Sequence, residues 1–197
     1  MQRLTRRESQ QQTRQRVLDA ATELFLDRGY RVTSIGEVAD AAGYSHGAVY
    51  SNFASKTALG VAVVDQLYDR AATRLREAIH SAGEDVTGLL TAITAWSAET
   101  IGDARWTRLE TEVTSAAGDG EIRDANAQRY KRLRAAGIDI ADTLAAERGI
   151  RFALPPDELM IGVLGLALGI GIQRAADPSI PGSTFTSFLA ALLPAGK

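Results

Sequence analysis

The chain has 197 residues, 45% hydrophobic and 23% charged, a balance that suits a folded globular protein and excludes a disordered one. It has no cysteine, which excludes disulfides, thiolate metal sites and cysteine nucleophiles. Its net charge is −2, yet residues 1–56 carry eight Lys/Arg against six Asp/Glu, so the positive charge gathers at one end.

Apolar residues recur at helical spacing along most of the chain, and strand signals are almost absent. The expected fold class is therefore all-α. Val17, Ala21, Leu24 and Phe25 form a first stripe, followed by Gly29, which suits the position just past a helix end. Ser34, with Glu37 three residues on, is a capping-box signature for a short helix that buries Ile35, Val38 and Ala39. Ala42-Gly43 ends that helix, and Gly43 supplies the positive φ that a tight interhelical turn demands. Ser45 is a candidate N-cap for a second short helix, from His46 to Asn52. Two short helices about a glycine turn make a helix-turn-helix.

Ser55 can cap the long helix that follows, which carries Leu59, Val63, Leu67, Ala71, Leu75 and Ile79. Ala82-Gly83-Glu84-Asp85 breaks the chain before a third stripe, Val86, Leu89, Leu90, Ile93, Trp96 and Ile101. Gly118-Asp119-Gly120 is the next expected break. Tyr130, Leu133, Gly137, Ile140 and Leu144 follow, up to Gly149. Pro155-Pro156-Asp157-Glu158 reads as a loop feeding a helix N-terminus. Asp177-Pro178 and Pro181-Gly182 close that helix, and Ser183 is the expected cap of a last one reaching Leu193. The apolar run Leu159–Ile172 spans fourteen residues, bounded by Glu158 and Arg174. A membrane helix needs about 20, so a buried core or interface helix is expected. The basic start lacks the apolar stretch of a signal peptide, and a cytoplasmic protein is expected.

The second short helix has an unusual outward face. Ser45, His46, Gly47, Tyr50 and Ser51 are small, hydrogen-bonding or aromatic, while Ala48, Val49 and Phe53 can anchor the other side. A helix that reads DNA needs this division, because bulk at its N-terminus is a liability in the major groove. Gly47 allows close backbone approach, His46 can donate or accept at a base edge, and the hydroxyls of Tyr50 and Ser51 can reach phosphates. Lys56 sits at a helix start, poorly placed for helix stability and well placed for a phosphate.

Other classes fit less well. There is no glycine-rich phosphate loop, no HExxH, no GxSxG and no metal-ligand cluster, and the chain has only two histidines. No enzyme activity, catalytic residue, cofactor or metal is expected, and His80 is read as a surface residue near the end of its helix. A nonspecific architectural DNA binder is the alternative, but it would be more basic as a whole. A purely helical interaction module would leave the Ser45–Tyr50 face unexplained.

From Thr13 to Leu59 the layout closely resembles the DNA-binding domain of the tetracycline-repressor (TetR) family. The resemblance rests on Leu24, Phe25, Arg28, Gly29 and Tyr30, then on Thr33-Ser34-Ile35, Val38-Ala39, Ala42-Gly43-Tyr44-Ser45 and Gly47. Tyr50, Phe53, Ser55-Lys56 and Leu59 complete it. Three positions depart: Gly36 stands where a polar side chain is more usual, His46 where Lys or Arg is, and Thr57 where an acid is common.

The resemblance implies an N-terminal three-helix DNA-binding domain, residues 1–58, and a C-terminal helical ligand-binding and dimerisation domain, residues 59–197. It implies a homodimer that binds a palindromic operator as a ligand-responsive repressor, with two reading helices in successive major grooves about 34–36 Å apart or a little more. By position, Tyr44, Ser45, His46, Gly47, Tyr50 and Ser51 would form the reading surface, and Thr33, Ser34, Asn52 and Lys56 would touch phosphates. Arg3, Arg6 and Arg7 would form a disordered arm along the backbone or minor groove. Trp96, Trp106, Leu109, Glu110, Val113, Tyr130 and Leu133 lie where family members line a small-molecule pocket, although most such residues are simply core. Gly162, Gly165, Gly169 and Gly171 leave the apolar helix nearly bare on one face. That suits close packing within one subunit or, as the resemblance suggests, across a dimer interface built from about 121–148 and 156–176.

Overall fold

The computed structural model describes residues 5–116 and 119–193. Among the described residues lie nine helices and no strand: α1 (Arg6–Asp27), α2 (Ile35–Ala42), α3 (His46–Asn52), α4 (Lys56–Ser81), α5 (Val86–Thr100), α6 (Ala104–Ala116), α7 (Asp119–Arg148), α8 (Pro156–Ala176) and α9 (Thr184–Leu192). The fold is all-α.

The described residues of 1–67 and 108–125 form one compact unit, and those of 68–107 and 126–193 form a second. Compactness thus divides the chain differently from the functional division expected at 58/59. The reason lies in α6, whose Leu109 and Val113 are fully buried and whose Val113 side chain meets Tyr30 over Gly60 of α4. A Cβ at residue 60 would stand 2.8 Å from Tyr30 and 2.9 Å from Val113, so glycine lets these elements close.

In the first unit α1, α2 and α3 pack on one another in all three pairs. Val17, Ala21, Phe25, Tyr30, Ile35, Val38, Ala39, Val49 and Phe53 supply the buried surface, and Phe25 meets Tyr30 edge to face at 5.2 Å. The start of α1 differs from expectation. Thr5 and Glu8 form a reciprocal capping box, so Arg6 and Arg7 are the first residues of a helix rather than part of a disordered arm. Arg3 lies outside the described residues, as does Gly118 of the expected break before α7.

The second unit is built around Ile79, Leu89, Ile93, Ile101, Leu144, Ile150, Ile170 and Phe185. Two expectations are corrected there and a third is narrowed. The third stripe stops at Thr100, and a break at Gly102, with φ of 93°, starts a separate helix that periodicity alone missed. Ser183 precedes α9 in a helical conformation and makes no side-chain cap; its carbonyl accepts from Ser187 instead. The apolar helix α8 is 21 residues long, long and apolar enough to cross a membrane by length and composition, yet only 17% of its apolar window is buried within the chain. It is not a buried core helix. Leu159 and Ile170 turn inward and Met160 packs tightly against Gly137 of α7, whereas Ile161 and Ile172 stay 59% and 63% exposed. A Cβ on Gly162, Gly165 or Gly169 would meet nothing within 4 Å, so close packing inside one subunit does not explain these glycines.

Candidate nucleic-acid interface

Each feature read as punctuation in Thr33–Lys56 has a physical counterpart. Ser34 accepts from the Glu37 amide, and Glu37 accepts from the Ser34 amide at 2.8 Å and from its hydroxyl at 2.9 Å. Those two bonds from Ser34, backbone first, hold the Glu37 carboxyl below the usual carboxylate range, with a smaller contribution from Arg28 at 3.2 Å. Gly43 adopts φ of 74°, the left-handed conformation that ends α2 and turns the chain into α3. Ser45 then caps α3 by accepting from the Ala48 amide. Ser55 does the same for α4 by accepting from Ala58 at 2.9 Å.

The two faces of α3 are clearly divided. Val49 is fully buried and Phe53 nearly so, whereas Ser45, His46, Gly47, Tyr50 and Ser51 are exposed and Tyr44 and Ala48 are half-buried. Tyr50 keeps 53% of its surface open. Beyond Gly47 an added Cβ would meet only Ser45 Oγ at 3.8 Å, so the front of the helix is open. Ser51 donates its hydroxyl to the Ala48 carbonyl at 2.9 Å.

The flanking positions are more engaged. Thr33 is 1% exposed and donates its hydroxyl to the Gly29 carbonyl at 2.8 Å, so that side chain is used inside the unit. Asn52 is half-buried and donates to the Ala48 carbonyl. The Lys56 ammonium donates to the Arg31 carbonyl at 3.1 Å and lies 4.7 Å over the Tyr30 ring. Burial draws its pKa below the ordinary lysine value, opposed by the charges of Glu112 and Glu37. Ser34 is exposed.

Sequence reading missed the residues that brace this surface. Arg14 of α1 lies 4.1 Å over the Phe53 ring and donates to the Asn52 carbonyl at 2.7 Å, tying α1 to the end of α3. From α6, Glu112 accepts from the Arg31 amide at 3.0 Å and Arg108 donates to the Leu26 carbonyl at 2.7 Å. Arg14 counted in the sequence only toward the positive charge of residues 1–56. A pairing across more than 80 residues leaves no local signature.

Residues 17–63, the stretch that spans this whole constellation, match the family described as bacterial regulatory proteins, tetR family. That segment of the chain carries the tetR-family DNA-binding domain. The chain is 35% identical over 83 residues to the HTH-type transcriptional activator FasR of Mycolicibacterium smegmatis, which covers 42% of this chain and 38% of that one. It is 48% identical over 59 residues to the regulator AcrR of Shigella flexneri, 27% of that protein's length. These two matches therefore span well under half of the relatives concerned. An HTH-type transcriptional repressor of Mycobacterium tuberculosis is 29% identical over 177 residues, covering 82% of this chain and 88% of that one. The fold matches a transcriptional regulator from Rhodococcus with a TM-score of 0.74 at 24% identity, over 91% and 93% of the two chains. A TetR-family regulator from Pectobacterium atrosepticum matches at 0.73 and 21%, over 98% and 100%.

The residues expected around a small molecule fall in both units. Leu109, Glu110 and Val113 belong to the first, and Leu109 and Val113 are core there. Trp96, Trp106, Tyr130 and Leu133 belong to the second, all half-buried. Trp96 spends its indole N–H on the Ala71 carbonyl at 2.9 Å and packs beside Phe185. Trp106 meets Tyr68 edge to face at 4.9 Å, and its indole N–H is buried without a hydrogen-bond partner. The Arg129 guanidinium, 3% exposed, lies 5.5 Å from the same Tyr68 ring.

Proposed function

We propose that the chain is a sequence-specific transcriptional regulator, a ligand-responsive repressor that binds a palindromic operator as a homodimer. Residues 1–58 would read DNA, and residues 59–197 would bind the effector and the second copy. The observation that carries this reading is the front of α3: exposed Ser45, His46, Gly47 and Tyr50 over a fully buried Val49. The rigid backing lets α3 enter a major groove without reshaping, and the small front lets it come close to base edges. Tyr44, Ser51 and Asn52 edge that front, and Ser34 and Lys56 serve as phosphate contacts. Thr33 contributes through its backbone, since its hydroxyl is committed to Gly29. A protein reading chromosomal DNA in this way works in the cytoplasm.

The exposed face of α8 supports the dimer. Ile161 and Ile172 lie on it among glycines with open space beyond them, and a second copy would cover that apolar surface with close helix contact. Trp106 supports the effector site. A buried indole N–H left unpaired costs about 1–3 kcal/mol, which an acceptor on a bound molecule would recover. Release then requires only that the effector prefer one of two states of the dimer.

A gel shift with the protein's own upstream region against scrambled duplex, at one fixed salt concentration, tests the reading. A shift confined to the upstream region at low protein supports it. Equal binding to both would favour a nonspecific architectural binder.

A further inference from the structure

Gly36, the second residue of α2, faces the His46 ring at the start of α3. A Cβ at position 36 would stand 2.8 Å from His46 Nε2 and 3.5 Å from Cε1, with Ser34 Oγ at 3.6 Å. Real side chains do not tolerate the first of these distances. Something must therefore move if residue 36 acquires a side chain. The backbone of α2 is held by its reciprocal cap, and Ile35 and Val38 on either side are buried. The imidazole is exposed and sits at the end of two rotatable bonds. It is the part that would give way.

We infer that Gly36 is a specificity-determining positioning residue: its bare Cα leaves room for the rotamer in which the His46 ring lies against α2, and so sets where the ring nitrogens stand. The inference rests on the proposed reading of DNA by α3. Side-chain wells lie ~120° apart in χ1, so eviction from this one swings the ring nitrogens by several ångströms. A base-edge contact depends on placement within a few tenths of an ångström. Residue 36 therefore acts on base preference through His46, with no contact to DNA of its own. The same change adds a good helix former to α2, so its effect on folding runs the other way.

The test compares the wild-type chain with Gly36→Ala, Gly36→Ser, His46→Ala and the Gly36→Ala/His46→Ala double variant. Each selects from a randomised duplex library, and each is then titrated against the wild-type consensus and its single-base changes. Thermal melts accompany the selections. Both position-36 variants are expected to melt no lower than wild type. They should change preference by about tenfold at the base pairs whose preference His46→Ala also changes. The double variant should match His46→Ala, because the effect runs through the ring. If His46→Ala alters preference while both position-36 variants select and bind as wild type does, the inference is overturned and the DNA reading stands. An effect of Gly36→Ala that persists undiminished in the double variant also overturns it. If the wild type enriches no sequence at all, the reading of function falls and the inference with it.

Discussion

At the scale of single residues, the surface is organised by short-range hydrogen bonds that can be removed one at a time. Glu37 is the clearest case. Its carboxyl is held below the usual range by the Ser34 amide and hydroxyl, so it stabilises the fold above the carboxylate value of the unfolded chain. That contribution is lost as pH falls through the lowered value of the folded state. Glu37→Gln should therefore unfold at lower urea than wild type at neutral pH, and the gap should close in acid; a gap unchanged with pH would show that the carboxylate charge is not involved. Lys56 makes a different kind of contribution. Lys56→Ala should weaken binding to upstream and scrambled duplexes by similar factors and flatten the logarithmic salt slope by about 0.9, the value of one phosphate contact. A titration series over salt concentration reads both numbers. Gly36 and His46, two of the positions at which the chain departs from the family pattern, are also in contact with one another. The sequence displays each departure but not their adjacency.

At the scale of elements, what could be read in the sequence was what local geometry dictates. Ser34 with Glu37, Gly43, Ser45 and Ser55 were legible because a cap or a left-handed turn needs particular residues at fixed offsets, and all of them perform those roles. Thr5 with Glu8 obeys the same rule, in a segment whose Arg3, Arg6 and Arg7 read as an arm. The break at Gly102 was hidden inside a stripe whose period carries on through Ile101. The bracing of α3 by Arg14, and of the Leu26–Arg31 turn by Arg108 and Glu112, depends on chain segments far apart in sequence. No local pattern encodes such pairs. The turn gives the sharpest stability prediction. A Cβ on Gly43 meets nothing within 4 Å, so Gly43→Ala carries only the cost of its left-handed backbone, about 1–2 kcal/mol. Chemical denaturation should show that loss, with Gly43→Asn losing less.

At the scale of the whole molecule, α8 is where sequence and structure part most instructively. Its apolar run was visible at once, but hydropathy does not say what covers a helix. The structure leaves Ile161, Gly162, Gly165 and Ile172 open on one face. In a homodimer built on that face, Ile161→Asp with Ile172→Asp would bury two carboxylates at the contact, while each side chain remains exposed in the single copy. Sedimentation should then show a dimer for wild type and a monomer of unchanged helicity for the variant, with weaker operator binding. A wild-type monomer at all concentrations would remove the dimer from the account.

If α3 reads base sequence, once from each of two copies, a footprint on the upstream duplex will show two protected major-groove segments related by a dyad, about 34–36 Å apart or a little more, that fade together in His46→Ala at a protein concentration where wild type protects fully. Protection spread evenly along the duplex, unchanged by His46→Ala, would contradict it.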